Sequence, residues 1–290
     1  MIRIIHALSE IGSRYRTILC DVWGVVHDGV AAFPAAVAAL SDFRAGGGRV
    51  ALLTNSPRPS PDLVAQLDAL GVPRSAWDVV ATSGDATQEA LAAGLVGRRI
   101  HHVGPDRDRA LFTRTAPDIP RPDVELVPLR EAEGIVCTGL NDDSREGPED
   151  YRALVLEGVA RGLPMLCANP DIVVDRGARR IWCAGAIARD YAAAGGRVLS
   201  FGKPHAPIYT LARRRLDAIG AETAAETMLA AGDGIETDIA GGIGEGLDTL
   251  FVAGGLSAGI LGPGPLDPAR LESLFAPHGL SPVWAIDRLR

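Results

Sequence analysis

Short apolar runs rich in β-branched residues recur along the whole chain, and segments of helical period separate many of them. "RTILC", "RVALLT", "DVVATS", "RRIHHVG", "GIVCTG", "PMLCAN", "RVLSFG", "TMLAAGD", "DTLFVAG" and "SPVWAI" have the length and composition of strands. Strands alternating with helices are the mark of βαβ units, so the chain reads as α/β with mostly parallel sheets. At 290 residues it lies where single cores begin to divide, and two domains, or one carrying an inserted one, are expected.

Two helices are delimited by their residues. Ser60 is expected to cap one, with Pro61 in its first turn, Leu63, Val64, Leu67 and Leu70 on one face and Gly71 at its end. A second is expected from Pro148 to Ala160, with Tyr151, Leu154, Val155 and Val159 on its apolar side. The glycines Gly46 to Gly48 follow a helical pattern and precede a strand, which is the order for ending a helix rather than cradling a phosphate.

Composition narrows the partners. Hydrophobic residues at 47% and charged residues at 22% exclude disordered and fibrous classes. A net charge of −7 argues against a general nucleic-acid or anionic-membrane binder. Residues 1–15 hold no apolar run of signal-peptide length, and no stretch reaches the roughly eighteen consecutive apolar residues of a membrane span. A cytoplasmic protein without nucleic-acid or membrane partners is therefore expected, and a homodimer is left open. Cys20, Cys137, Cys167 and Cys183 lie in apolar runs without CxxC spacing and read as buried reduced thiols.

Lysine is almost absent: of the 29 basic residues 28 are arginine, and Lys203 is the one lysine. A position that keeps a compact ammonium where arginine is the rule is a candidate functional residue. It falls in one of four apolar runs that end in residues suited to phosphate chemistry. These are "TILC" before Asp21, "LLTNS" with Thr54, Asn55 and Ser56, "SFGKP" with Lys203, and "LAAGDGIETD" with Asp233 and Asp238. Ligands of open parallel sheets bind beyond the carboxyl ends of the strands, so four such ends can meet in one crevice.

In this order the stretches "DVWGVVHDG", "LLTNS", "SGDAT", "CAGAIARDY", "FGKPH" and "GDGIETDIAGG" resemble the haloacid dehalogenase (HAD) superfamily, and within it the NagD-like class IIA branch. The resemblance runs from about Thr17 to Gly254. It implies a Rossmann-like core with a parallel sheet, residues 1–82 and 199–290, interrupted by an inserted α/β cap domain of the class II type, residues 83–198. It implies a Mg2+-dependent phosphohydrolase acting on a small phosphorylated metabolite through an aspartyl-phosphate on Asp21. Thr54 would bind the transferring phosphoryl oxygens with Asn55 and Ser56 beside it, and Lys203 would neutralise charge. Asp233 would hold Mg2+ with Asp21 and the Trp23 carbonyl, and Asp238 would support the metal or the lysine. "CANPD", with Asp171, lies near the cap's return to the core and is expected to contribute substrate contacts.

The departure from the family pattern is Trp23. It stands where a second aspartate would supply a carbonyl to the metal and a side-chain acid to the leaving group. Trp23 keeps the carbonyl and loses the acid, and general acid–base help is worth about 10²–10⁴-fold. Three readings follow: a phosphohydrolase with a good leaving group or with its acid elsewhere (His27, Asp28, Asp171 or His205), a nearly inactive phosphate-ligand binding protein, or a displacement of halide rather than phosphate. The retained Asp233 and Asp238 weigh against the third, which has no need of Mg2+.

Overall fold

The computed structural model describes residues 2–177, 179–262 and 264–290. Among them the strands are, in chain order, β1 (Arg3–Ile4), β2 (Thr17–Cys20), β3 (Arg49–Thr54), β4 (Val79–Thr82), β5 (Arg99–Val103), β6 (Glu125–Leu126), β7 (Gly134–Cys137), β8 (Met165–Cys167), β9 (Val173–Arg176), β10 (Arg179–Trp182), β11 (Val198–Ser200), β12 (Met228–Gly232), β13 (Asp248–Val252) and β14 (Trp284–Ile286). Seven form one sheet, in the order β1-β14-β13-β12-β2-β3-β4, with every neighbouring pair parallel. A second sheet, ordered β11-β8-β7-β5-β6, is also parallel throughout, and β9 and β10 form a separate antiparallel hairpin. The fold is thus α/β, with the large parallel sheet of a Rossmann-like core that the resemblance implies.

The order of the large sheet places the chemistry. From β2 the chain winds outward through β3 and β4, and after the second sheet it resumes at β12, on the other side of β2, and winds away through β13 and β14. The strand order therefore reverses between β2 and β12, and a crevice opens beyond the carboxyl ends at such a switch point. In register, Cys20 faces Leu52 on one side and Ala231 on the other, so the residues after β2, β3 and β12 emerge side by side.

The chain leaves the first sheet after β4 through the helix Ser83–Ala92, whose side chains pack on both units. Ala86 joins the cluster with Leu19 and Ala51 of the large sheet, while Ala90 and Leu91 join Ile100 and Val136 of the second. The Thr82 hydroxyl caps this helix by accepting from the Asp85 amide at 2.9 Å.

Two expectations need correction. The helix Ser60–Ala69 is not capped by the Ser60 hydroxyl: Ser60 is its first residue, and its amide donates at 2.9 Å to the Asp85 carboxylate. The amides a capping hydroxyl would receive, those of Asp62 and Leu63, donate instead to the Pro59 carbonyl at 3.0 and 3.1 Å, so the helix begins one residue earlier than a Ser60 cap requires. The second helix opens as a 3₁₀ turn, Pro148–Tyr151, and becomes α-helical only over Arg152–Ala160. Gly46 to Gly48 end the helix Pro34–Ala45, with Gly47 in the left-handed region and β3 beginning at Arg49. His101 and His102 turn to different partners, the Val127 carbonyl and the Thr138 hydroxyl, and share no site. All four cysteines are buried and free. Among the described residues no helix is long and apolar enough to cross a membrane.

Asp85 is fully buried, and its second oxygen takes the Arg215 guanidinium at 2.6 Å. Asp85→Ala leaves the Ser60 amide without its acceptor and Arg215 with only Asp118 and the Val80 carbonyl, a loss of about 1–3 kcal/mol for a buried group left unsatisfied. Equilibrium denaturation of the variant should show a destabilisation of that size; a change below about 1 kcal/mol would remove Asp85 from this structural role.

Candidate active site

Asp21 leaves the end of β2 with its amide bonded to the Ala231 carbonyl at 2.8 Å, which ties it to β12. Lys203 reaches it from the loop after β11, and Asn55, just past β3, fixes that loop in place. The Asn55 side-chain oxygen accepts from the Lys203 amide at 2.7 Å. Its NH2 group donates to the Lys203 carbonyl at 3.1 Å and to Asp171 at 2.8 Å. The loop passes so close that a Cβ on Gly202 would lie 2.6 Å from the Asn55 oxygen.

The Lys203 ammonium donates at 2.6 Å to Asp21 and at 2.6 Å to Asp238. All three side chains are buried. Oxygens of Asp21, Asp233 and Asp238 lie within 4.8 Å of one another. Burial and the Asp238 charge push the Asp21 pKa well above the usual carboxylate value, against the pull of Lys203. For the same two reasons Asp233 is pushed up to about 7. Burial alone would depress Lys203, yet Asp21, Asp238 and Asp171 outweigh it and hold the ammonium charged.

Asp233 is the carboxylate the lysine does not reach. One of its oxygens accepts from the Leu256 amide at 2.8 Å. The main chain closes on it at two glycines, where a Cβ would come within 2.4 Å (Gly24) or 1.8 Å (Gly255) of that oxygen. Gly24 also has a positive φ of 83°. The peptide after Trp23 is therefore packed against Asp233. Three buried carboxylates with one ammonium leave negative charge unbalanced, and the all-oxygen donor set fits a hard divalent cation.

A cavity of about 310 Å3 opens onto this group, lined by Asp21, Lys203, Asp233 and Asp238 together with Thr54, Trp23 and Asp171. The Thr54 hydroxyl accepts from the Ser56 amide at 3.2 Å, and the Ser56 hydroxyl accepts from the Arg58 amide at 3.3 Å. Of the expected substrate contacts, Thr54 and Asp171 face this cavity, Ser56 faces an adjoining one, and Asn55 spends its amide on Lys203 and Asp171. Among the replacement acids, Asp28 is half-buried and is held below the usual carboxylate range by amides led by Ala31. His205 precedes the helix Ala206–Asp217 and lines an outer groove. His27 is buried, and burial lowers its pKa to about 4.

Trp23 packs against the hairpin. Its indole N–H donates at 2.7 Å to the Asp175 carbonyl of β9, and the Gly177 amide donates at 3.2 Å to the Asp28 carbonyl. The ring lies where a Cβ on Gly29 would have to be, 2.4 Å away, and meets His27 edge-on. The tryptophan thus fastens the loop after β2 to the β9–β10 hairpin.

The sequence matches the haloacid dehalogenase-like hydrolase family over residues 18–115 and a HAD-hydrolase-like family over residues 200–262. A hydrolase of the haloacid dehalogenase-like family from Brucella suis 1330 is 45% identical, with 99% of this chain and 100% of that chain covered and a TM-score of 0.86. The chain belongs to the haloacid dehalogenase-like hydrolases. Its fold is also that of NagD from Escherichia coli, at 23% identity, 94% and 96% coverage and a TM-score of 0.62. The glycerol phosphate phosphatase of Mycobacterium tuberculosis in complex with magnesium is 25% identical over 85% of this chain and 70% of that one, with a TM-score of 0.63. No curated protein sequence matches significantly. The chain is a hydrolase of this family.

Trp23→Phe keeps the ring and removes the indole donor. The loss of one hydrogen bond, about 0.5–1.5 kcal/mol, should appear as faster amide hydrogen exchange in residues 173–182 with little change in global stability. Unchanged exchange there would show that the indole does not fasten the hairpin.

Proposed function

We propose that this hydrolase is a Mg2+-dependent phosphatase of a small phosphorylated metabolite, with Asp21 as nucleophile. The observation that carries the reading is the single ammonium shared by Asp21 and Asp238 inside a three-carboxylate pocket. A carboxylate that is to attack a phosphate dianion needs its own charge compensated, and Lys203 already touches it.

In the first step an Asp21 oxygen forms a bond to phosphorus as the bond from phosphorus to the leaving oxygen breaks, giving an aspartyl-phosphate and an alcohol or alkoxide. In the second, water attacks phosphorus, the bond to Asp21 breaks, and inorganic phosphate leaves. Lys203 offsets charge on the nucleophile throughout, and the Thr54 hydroxyl hydrogen-bonds the transferring oxygens. Asp21, Asp233 and the Trp23 carbonyl would hold Mg2+, with Asp238 supporting the lysine; the bound ion would join carboxylate to phosphate and offset their repulsion. Residues 83–198 act as the cap over this site, with the core formed by residues 1–82 and 199–290, and the cap excludes water from the reacting groups. The magnesium complex of the mycobacterial relative supports the choice of ion.

Trp23 sets the substrate preference. Its indole has no proton to give a leaving oxygen and is committed to Asp175. An alkyl ester then forgoes about 10²–10⁴-fold of acid catalysis, whereas acyl phosphates, pyrophosphates and activated aryl esters lose little. The same commitment favours, as a second reading, a protein that binds a phosphorylated ligand and turns it over very slowly. Displacement of halide is disfavoured by the acidic cluster, which that reaction does not use.

Asp21→Asn should abolish hydrolysis of p-nitrophenyl phosphate with Mg2+ while leaving thermal unfolding cooperative, and substantial residual turnover would refute the nucleophile. Trp23→Asp should raise the rate on a simple alkyl phosphate relative to p-nitrophenyl phosphate, toward the 10²-fold range. An unchanged ratio would show that a missing acid does not limit the native protein. No cleavage of p-nitrophenyl phosphate by the native protein would favour the binding reading.

Mg2+ should also raise the unfolding temperature, since a ligand of the native state alone stabilises it by mass action. Asp233→Asn should remove that shift; a shift that persists in the variant would place the cation elsewhere.

A further inference from the structure

A second, smaller cavity of about 100 Å3 adjoins the catalytic one and shares Trp23, Thr54, Asp171 and Val174 as a common wall. Its far side is lined by three guanidiniums from separate segments: Arg58 after β3, Arg107 after β5, and Arg176 on β9. Arg107 and Arg176 both pair with Asp143, at 2.6 and 2.9 Å. Arg58 donates to the neutral Gln66 side chain at 2.6 Å, and no carboxylate pairs with it among the described residues. Besides Asp171 on the shared wall, the remaining acid of the cavity is Asp108, buried and 4.0 Å from Arg107. Burial pushes its pKa up, which weakens it as a counter-ion. Of the three carboxylates that line the cavity with these guanidiniums, only Asp143 makes close pairs, and Arg58 is left without one among the described residues.

His27 lines the same cavity and points to a ligand independently. Its Nδ1 accepts from the Gly29 amide at 2.9 Å, which places the ring proton on Nε2. That Nε2–H is buried in a side chain only 1% exposed and has no partner among the described residues. A buried donor left unpaired costs about 1–3 kcal/mol unless something accepts from it.

We infer that this cavity binds a second anionic group on the leaving-group half of the substrate, a carboxylate or a second phosphoryl group, through Arg58, Arg107 and Arg176 with the His27 Nε2–H as a further donor. The inference rests on the phosphatase reading for which end of the substrate lies where. Guanidinium forks match the planar or tetrahedral oxygens of both anions. The hairpin aims the site: Val174 and Arg176 are alternate residues of β9, and Trp23 holds that strand through the Asp175 carbonyl between them. The substrate is then a compact phosphate monoester or mixed anhydride with an anion at each end.

Non-hydrolysable phosphonates test this without turnover. With Mg2+ present, calorimetric titration of the whole chain should show 3-phosphonopropionate or propane-1,3-bisphosphonate binding at least tenfold tighter than propylphosphonate, and which of the two gains more identifies the anion. Arg58→Gln, and separately Arg176→Gln, should bring the ratio of affinities toward one, with Arg58→Lys restoring part of it. Equal affinities for all three ligands, no measurable binding of any, or a ratio that survives both Gln substitutions would overturn the inference. Failure of the phosphatase reading would look different, as absent hydrolysis of p-nitrophenyl phosphate alongside an intact preference among the phosphonates.

Discussion

A buried ammonium held between two carboxylates is the interaction on which the rest of this structure depends. Lys203 can sit beside Asp21 and Asp238 only because residues far apart in sequence emerge from neighbouring strand ends, and the β12-β2-β3 order secures that. Leaving such a charge unpaired would cost several kcal/mol, so the loop that delivers the lysine must be fixed before the side chain is useful. Asn55 fixes it by bonding both the amide and the carbonyl of Lys203. Gly24 and Gly255 perform the corresponding task at Asp233, where any larger residue would collide with the carboxylate.

The tryptophan departs from its family's chemistry and is nevertheless built into the structure. A side chain whose only effect was to delete an acid would need no partner, yet this one has a hydrogen bond to β9, a glycine cleared for its ring and an edge contact to His27. An aspartate at this position could not reach the same carbonyl as a donor, since an ionised carboxylate only accepts. The substitution therefore exchanges a proton donor for a fastening between core loop and hairpin. The two roles cannot be held by one residue.

Much of this was legible in the sequence, for identifiable reasons. The apolar runs located most of the strands because strands of a parallel sheet are buried on both faces and read as continuous hydrophobic segments. Asp21, Lys203, Asp233 and Asp238 stood out because each follows such a run, and Lys203 doubly so as the one lysine. Rarity also explains what was missed. In a chain with 28 arginines, Arg58, Arg107 and Arg176 carry no signal, and only the meeting of the two sheets brings them to one cavity. The Ser60 cap failed because the helix starts at Ser60 itself, with the Pro59 carbonyl taking the first free amides and the Ser60 amide going to Asp85, a partner outside the local segment. Asn55 looked like a substrate contact because the residues beside a phosphate loop and those bracing it from behind have the same polar composition; direction is set by the fold.

The two cavities differ in their balance of charge and share Trp23, Thr54, Asp171 and Val174 as a common wall. On one side the three clustered carboxylates exceed one ammonium; on the other, Arg107 and Arg176 share Asp143, and Arg58 pairs with no carboxylate among the described residues. An anion approaching from solvent is repelled by the first until its negative charge is compensated, whereas the second attracts it at once. At physiological ionic strength the screening length is about 8 Å, so this difference is felt chiefly inside the crevice. A ligand with one anionic group would therefore be drawn toward the arginines, away from the nucleophile. A ligand with two can satisfy the arginines with one end and present the other to Asp21. On this argument the arginine cavity works against simple phosphate esters as well as for substrates with two anions, and that is discrimination by charge placement rather than by size.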